Sequence, residues 1–202
     1  SSNVKSVLSN NRFENMMQST GTNLYCARMD GSCVWDIVGN TFGNPSTVND
    51  VSLSSTSSFY GVYAITSSNS TTNNLVSQIH DNSFNNINHS TVNGAYFFGI
   101  QCGGPSVSIQ HNSFKNITSN ASYSFQMISM SNYTPLAGQI NEFNYNTAEN
   151  IVQTNTTSNN DDMGIFKINS SVGFPTNINC VGNRIGSLTT ANDIVFHGSL
   201  IR

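Results

Sequence analysis

The chain has 202 residues, a formal net charge of −3, and only 8% charged side chains. One core suffices for this length, so a second domain is not required. Seven scattered Lys and Arg residues make no basic stripe, which excludes nucleic acid as a partner, and no run of about 18 apolar residues predicts a membrane span.

Small polar residues dominate the composition, with 32 Asn, 31 Ser and 18 Thr. Such a chain suggests disorder, because a polar sequence often buries too little apolar area to offset its conformational entropy. The 37% hydrophobic content, placed at regular positions and including 12 Phe, argues against disorder. We therefore expect a folded chain with a hydroxyl- and amide-rich surface.

One pattern, apolar-x-x-Asn-x-Phe, recurs along the chain and organises it. It spans Leu8 to Phe13, Ile37 to Phe42, Ile79 to Phe84 and Ile109 to Phe114, followed by a shortened version from Ile140 to Phe143 and a variant from Cys180 to Ile185. The last positions of these copies are 29, 42, 30, 29 and 42 residues apart. A period near 30 residues is typical of a solenoid.

Each copy is followed by a short apolar run, rich in aromatic and β-branched residues, that predicts a strand. These runs are Leu24 to Ala27, Gly61 to Ile65, Ala95 to Ile100, Ser124 to Ile128, Gly164 to Ile168 and Ile194 to His197. The extra residues of the longer steps fall in Asn44 to Ser58 and Asn146 to Asp162. Two loop insertions at the same point of the repeat are therefore expected.

Stacked coils of a parallel β-helix lie about 4.8 Å apart, so each position of the repeat forms a column. Identical residue types at equal offsets favour this arrangement over a sandwich of short strands, and no segment sustains a helical apolar period. The predicted structural ladder comprises Asn11, Asn40, Asn82, Asn112, Asn141 and Asn183, beside a stack of Phe13, Phe42, Phe84, Phe114 and Phe143 continued by Ile185, and an aliphatic column of Leu8, Ile37, Ile79, Ile109 and Ile140. Asn suits such a ladder because it tolerates a left-handed bend and its amide both donates and accepts.

With coils near thirty residues, the apolar-x-x-Asn-x-Phe-x-Asn pattern resembles that of right-handed parallel β-helix proteins of the pectate-lyase-like superfamily. The resemblance is strongest to Asn-rich surface, adhesin-like or filament-forming members, and it covers nearly the whole chain. It implies an all-β, right-handed parallel β-helix of about six coils with two loop insertions. Residues 1–202 would form a single domain, either complete or a segment of a longer array. Activity does not follow, because this fold carries many functions.

Few residues suggest catalysis. Asp81 and His111 occupy equivalent positions of adjacent units, with His80 nearby, and would form a general base with its orienting acid or a hydrogen-bonded surface pair at a bend. The columns put no two acids on neighbouring coils, whereas Glu142 and Arg184 are expected to form a surface ion pair.

Two further groups are candidates for binding. Asp161 and Asp162 would hold a cation at a loop tip or form a solvated loop, although the regular spacing of a calcium loop is missing. No catalytic residue, metal ligand or cofactor is predicted. The two insertions and the exposed aromatic residues are expected to serve recognition, with about half of these tyrosines covering the core instead; they are Tyr60, Tyr63, Tyr96, Tyr133 and Tyr145.

The cysteines and the glycosylation acceptors indicate the compartment. Cys26 and Cys33 flank a short predicted turn and are the candidate disulfide, whereas Cys102 and Cys180 are expected to be small buried hydrophobes. Predicted acceptors for N-glycosylation are Asn69, Asn88, Asn116, Asn120, Asn132, Asn155 and Asn169, with Asn44 excluded by Pro45. An extracellular protein, secreted or at a cell surface, is expected.

These observations predict a structural or adhesive module of a cell surface or filament, and they favour a non-enzymatic protein over an enzyme. The alternative is a polysaccharide-processing β-helix enzyme, either a lyase or a glycoside hydrolase. The expected partners are further copies or coils stacked end to end, because open coil ends expose strand edges, and glycans or other cell-surface ligands.

Overall fold

The computed structural model describes residues 5–31, 34–54, 58–65, 75–90, 95–104, 106–132, 140–155, 163–170, 178–190, 193–195 and 199–201. These residues form only β-strands and connecting turns. In chain order the strands are β1 (Lys5–Ser9), β2 (Arg12–Phe13), β3 (Met16–Gln18), β4 (Asn23–Asp30), β5 (Val34–Val38), β6 (Thr41–Phe42), β7 (Val51–Leu53), β8 (Ser58–Ile65), β9 (Ser77–His80), β10 (Ser83–His89), β11 (Tyr96–Gly104), β12 (Val107–Gln110), β13 (Ser113–Ser119), β14 (Ser124–Asn132), β15 (Asn141–Asn144), β16 (Thr147–Gln153), β17 (Gly164–Ser170), β18 (Ile178–Val181), β19 (Arg184–Ile185), β20 (Ile194–Val195) and β21 (Ser199–Ile201).

The strands pair in parallel and stack into three sheets. The first sheet has the order β1-β5-β9-β12-β15-β18, and the third has the order β4-β8-β11-β14-β17-β21. The second follows β2-β6-β10-β13-β16-β19, with β3, β7 and β20 paired alongside. The all-β class and the parallel stacking are therefore confirmed, and they are compatible with a parallel β-helix. Within the described residues no helix exists that could cross a membrane.

A stack of aromatic rings fills the core beneath the second sheet. Phe13, Phe42, Phe84 and Phe114 pair in register, and their ring centroids lie 4.8, 4.4 and 4.6 Å apart with nearly parallel planes. Each ring covers the face of the next, so the stack combines apolar burial with offset ring contacts.

The expected position of Phe143 is wrong. Phe143 lies in the first sheet, where it pairs with Ile109 and Cys180, and Ala148 follows Phe114 in the second sheet. Ile140, placed in the aliphatic column by the sequence pattern, is exposed. The physical reason is that Ala148 is much smaller than Phe114, so it leaves core space that the ring of Phe143 in the neighbouring column can occupy.

A buried ladder of asparagine amides follows the bend between the first and second sheets. Each Nδ2 donates to the Oδ1 of the next coil at 2.9 to 3.0 Å, and the backbone N–H of the same residue donates to the same oxygen at 2.9 to 3.2 Å. The members are Asn11, Asn40, Asn82, Asn112, Asn146 and Asn183.

Asn146 replaces the predicted Asn141 in this ladder. Asn141 instead accepts a hydrogen bond from the backbone N–H of Val107 at 2.9 Å, at the start of a first-sheet strand. The ladder steps are consequently 29, 42, 30, 34 and 37 residues. The shortened copy starting at Ile140 is therefore five residues out of register with the structure.

The left-handed residues of this bend lie one position before the ladder. They are Asn10, Gly39, Asp81, His111, Tyr145 and Gly182, with φ between 54° and 67°. The ladder asparagines therefore bridge coils, and the sharp turn is made by their predecessors. A second column of left-handed residues, Asn15, Asn86, Asn116 and Asn150, bends the second sheet in its middle.

Both predicted insertions contain strands of the second sheet. Val51–Leu53 lies within 44–58 and pairs with β10, whereas Thr147–Gln153 lies within 146–162 and pairs with β13. Eight residues separate Phe42 from Val51, and only two separate Phe84 from Ile87 in the next coil. The additional residues of the first long step thus include the turn between Phe42 and Val51.

The last apolar run also lies in a different sheet from the one predicted. Ile194 pairs with Ile151 in the second sheet, and the third sheet continues through Ser199–Ile201. The repeat of one motif and one apolar run therefore corresponds to three sheets. The motif itself spans two of them, because its apolar residue, such as Ile79, lies in the first sheet and its phenylalanine, such as Phe84, lies in the second.

Candidate functional site

Five of the seven tyrosines cluster on the outer side of the third sheet. The cluster, here called the tyrosine face, consists of Tyr25, Tyr60, Tyr63, Tyr96 and Tyr123 with Phe98 and Arg28. Of the other two tyrosines, Tyr145 lies at the bend before the ladder, and Tyr133 lies outside the described residues. Tyr60, Tyr63 and Tyr96 were among the candidates from sequence.

A local break in strand alternation places these side chains together. The pairing of β4, β8 and β11 skips Cys26, Gly61 and Gly99, so residues three apart point to the same side. Tyr60 and Tyr63 flank one such break. A Cβ on Gly61 would lie 2.6 Å from the carbonyl oxygen of Gly99 and closer still to the ring of Phe84, so only glycine fits there.

The rings of the face are packed in a fixed arrangement. Tyr25 stacks on Tyr60 at 4.6 Å, Tyr60 stacks on Phe98 at 5.4 Å, and Tyr63 meets both tyrosines edge-on at 5.5 and 5.7 Å. The guanidinium of Arg28 lies 4.9 Å from the centre of the Tyr25 ring. Such contacts restrict ring rotation before any partner binds.

Two aromatic rings of the face are the most accessible to solvent. Tyr96 and Tyr123 are 38% and 47% exposed, and their ring centroids are 5.5 Å apart. Tyr96 also lies 6.1 Å from Phe98, which connects this pair to the stacked rings. The face is therefore continuous across β8, β11 and the start of β14.

The positive charge of Arg28 in the face is compensated by the neighbouring carboxylate of Asp30. The Nε of Arg28 donates to Asp30 at 2.6 Å, and this hydrogen bond raises the pKa of Arg28 above its usual value. Burial, followed by the neighbouring Tyr25, Tyr96 and Tyr63 hydroxyls, raises the pKa of Tyr60 to about 12. The Tyr60 phenol is consequently neutral near pH 7.

Asp81 and His111 do occupy equivalent bend positions, but they are not the hydrogen-bonded pair. His80 contacts Asp81 through Nδ1 at 2.8 Å and Asp36 through Nε2 at 3.2 Å, whereas the ring of His111 stacks on Tyr145 at 5.0 Å. Asp36 is the residue that sequence reasoning missed. It lies one coil from His80 in the first sheet, and its register with Gln78 could have indicated it.

The predicted ion pair of Glu142 with Arg184 is wrong. Glu142 lies in the first sheet and accepts hydrogen bonds from Ser108, at 3.0 Å, and from Gln110. Arg184 pairs with Glu149 of the second sheet instead. The error follows from the five-residue register shift of this coil.

A polar groove of about 400 Å³ lies on the outer side of the second sheet, near Glu149. Its lining residues are Lys115, Asn116, Glu149, Asn150, Ser187, Thr189, Thr190 and Asp193. Lys115 lies 3.8 Å from Glu149, and Asp193 accepts a hydrogen bond from the backbone N–H of Asn150 at 3.2 Å. The carboxylate of Asp50 accepts an equivalent hydrogen bond from the backbone N–H of Asn15 at 2.8 Å. The contact of Asp193 with Asn150 therefore recurs elsewhere in the second sheet and is structural.

The cysteine predictions have mixed outcomes. Cys26 carries a free thiol in mid-strand β4, and burial raises its pKa to about 12. The predicted bridge with Cys33 is not formed, because the strand continues through Met29 and Asp30, where a turn was expected; Cys33 itself lies outside the described residues. Cys102 is buried as predicted, whereas Cys180 is exposed in β18, which pairs with β15 at the end of the first sheet.

The glycosylation acceptors differ in their surroundings. Asn169 is exposed, and Asn88 and Asn120 are half-buried, whereas Asn155 is only 6% exposed. The Nδ2 of Asn116 donates to Asn86 at 2.9 Å, and its Oδ1 accepts from Asn150 at 2.8 Å. The side chains of Asn69 and Asn132, as well as Asp161 and Asp162, lie outside the described part.

Among the described residues, no group of three or more His, Cys, Asp and Glu side chains is arranged to hold a metal ion. A scan against models of protein families, a search of curated proteins and a search of solved structures each find no match. The fold and its surfaces therefore carry the functional argument.

Proposed function

We propose that this chain is a right-handed parallel β-helix of about six coils that acts as a structural or adhesive module outside the cell. Two of the sheets have six strands each in simple stacked order. Right-handed connections between parallel strands of one sheet are the strong rule in proteins, which supports the handedness. End-to-end association with further coils belongs to the same proposal.

The observation that carries it is the use of the acidic and imidazole groups in structural contacts. His80 bridges Asp36 and Asp81, and Glu149 bridges Arg184 and Lys115. Hydrolysis of a glycosidic bond needs two carboxyl groups free to face a sugar, and lyase chemistry needs a basic group poised to remove a proton. Each described acidic side chain is instead held by a basic side chain, by His80 or by a hydrogen-bond donor of the fold.

A polysaccharide-processing enzyme is the second candidate, and the polar groove favours it. Glu149 and Asp193 both line this groove, with Lys115 beside them. The two readings differ in what happens to a sugar chain. A structural or adhesive module leaves it intact, whereas an enzyme cleaves it.

A cleavage assay separates the two functions. Purified protein is incubated with pectin, alginate and host glycans, and new reducing ends and unsaturated products are measured. We expect neither product from the native chain or from Glu149→Gln. Turnover that Glu149→Gln abolishes, with Glu142→Gln as the matched control outside the groove, would refute the structural reading.

The extracellular location has an independent test. Secretion from a eukaryotic host, followed by mass spectrometry of tryptic peptides, measures the occupancy of each acceptor. We expect glycan on exposed Asn169 but not on Asn155 or Asn116, since a glycan replaces a hydrogen on Nδ2 and needs space outside the fold. Failure of the folded chain to be secreted would contradict the proposed location.

A further inference from the structure

The tyrosine face is unusual within its own molecule. One outward column of the second sheet carries only small hydroxyl residues between its two ends, Thr41, Ser83, Ser113 and Thr147, with Arg12 and Arg184 at the ends. Parallel pairing in this fold therefore does not require large outward rings. Tyr96 and Tyr123 remain accessible beside the stacked rings, which makes the face a candidate surface for contact with a partner.

The chemistry of the face defines its partner. Each phenol combines an apolar ring with a hydroxyl that both donates and accepts hydrogen bonds. Arg28 is neutralised by Asp30, so neither an anion nor a cation is favoured. A partner with apolar C–H surfaces, many hydroxyl groups and no charge matches these properties.

The dimensions of the face point to a chain of several sugar units. It extends from Tyr25 on β4 across β8 and β11 to Tyr123 at the start of β14. Three intervals between strands span about 14 Å. This length exceeds one monosaccharide, and the stacked rings are ordered in advance, which lowers the entropy lost on binding.

We propose that the tyrosine face binds an uncharged oligosaccharide, with Tyr96 and Tyr123 as the accessible contacts and the stacked Tyr25, Tyr60 and Phe98 as their rigid support. This inference rests on the adhesive form of the proposed function. A second copy of the chain and an acidic glycan are the competing occupants.

Isothermal titration of the full chain tests the proposal directly. The probes are neutral tetrasaccharides of β-1,4-linked glucose, β-1,4-linked N-acetylglucosamine and mannose, with galacturonic acid tetrasaccharide as the charged comparison. We expect at least one neutral probe to bind. The double variant Tyr96→Ala/Tyr123→Ala is expected to weaken that binding about tenfold or more, which corresponds to about 1.4 kcal/mol.

Tyr145→Ala is the matched control, because Tyr145 is 49% exposed but lies at the bend outside the face. Circular dichroism verifies that each variant is folded, and Tyr96→Phe replaces the pair if the double variant does not fold. Absence of binding by every neutral probe, preference for the galacturonic acid probe, or equal weakening by Tyr145→Ala would overturn the inference.

Two further outcomes separate this inference from the proposed function. Cleavage of a bound probe, with affinity lost in the Tyr96→Ala/Tyr123→Ala variant, would overturn the proposed function and leave the binding face in place. A concentration-dependent dimer that this double variant abolishes, without sugar binding, would assign the face to a second copy and overturn the inference alone.

Discussion

Removal of one amide from the middle of the ladder is expected to destabilise the chain far more than removal of the terminal one. Asn82 is 1% exposed, and its Oδ1 accepts from both the backbone N–H and the Nδ2 of Asn40, at 2.9 and 3.0 Å. Asn82→Ala leaves the backbone N–H of Asn40 and one of its two Nδ2–H groups without an acceptor, while the other Nδ2–H still donates to the carbonyl of Leu8 at 2.9 Å. An unsatisfied buried group costs about 1 to 3 kcal/mol, so we expect a loss of about 4 kcal/mol in the free energy of unfolding.

Asn11→Ala is the matched control for this experiment. Asn11 is exposed, and its side chain donates only to Ser9 and to the Oδ1 of Asn40, which still receives the backbone N–H of Asn11. The expected loss is about 1 kcal/mol. Urea unfolding followed by the fluorescence of Trp35, the sole tryptophan and fully buried in β5, reports both changes.

Asn82→Asp adds a dependence on pH to the same site. The carboxylate keeps an acceptor for Asn40 but turns a second oxygen towards the carbonyl of Ile37 and the Oδ1 of Asn112. Burial and these oxygens raise the folded-state pKa of the new carboxyl above its unfolded value. Stability of this variant therefore falls as pH rises through the folded pKa. Equal urea midpoints for Asn82→Ala and Asn11→Ala, or no pH dependence in Asn82→Asp, would refute this account of the ladder.

Phe84→Ala removes a fully buried ring from between two others and is expected to lower the free energy of unfolding in urea by about 3 to 5 kcal/mol. Phe13→Ala at the end of the stack should cost clearly less, and similar values for the two variants would contradict the stacking argument. Maleimide labelling near pH 7, followed by mass spectrometry, should modify exposed Cys180 in the folded chain and leave Cys26 unmodified until denaturation. The reason is that a pKa of about 12 suppresses the reactive thiolate of Cys26, so rapid labelling of Cys26 would show that its packing is different. The raised pKa of Tyr60 predicts a contribution to stability that is present below about pH 10 and lost as pH rises towards about 12. In thermal melts Tyr60→Phe should therefore lose less stability than the native chain over this pH range, and equal losses would count against a buried phenol.

The early part of the chain was predictable because its repeats are strict. From Asn11 to Asn112 the asparagine and phenylalanine positions keep one offset, and each member of both columns is where the pattern puts it. Register in a stacked array is set by such recurrences. A single accurate alignment therefore positions many side chains at once.

The fifth copy failed for a reason that the sequence does not display. Phe143 matches the aromatic pattern in type, but the core accepts it in the aliphatic column because Ala148 leaves room beside it. Local pattern matching sees residue type, whereas packing responds to the combined volume of facing columns. Glu142 and Arg184 were placed together only through this misalignment.

The tyrosine face was predictable only in part. Exposed tyrosines were expected after the first long step, but their union with Tyr25 and Tyr123 depends on register between coils and on the break in alternation at Gly61. Neither feature has a signal in one strand alone. A comparison of the residues that precede Gly61 and Gly99 could have found Tyr60 and Phe98, but not Tyr25 or Tyr123.

The amide ladder also gives the array a direction. Every Nδ2 donates from a lower-numbered coil to the next one, so the amide dipoles add along the axis from Asn11 to Asn183. Asn11 lies at one end of the ladder and donates to Asn40, whereas Asn183 lies at the other end, accepts from Asn146 and donates through Nδ2 to the carbonyl of Phe143. Two copies joined head to tail continue this donor-to-acceptor order, whereas two copies joined by a twofold axis would oppose like groups. Any axial assembly of these coils is therefore polar, with two chemically different ends and growth that need not be equal at both.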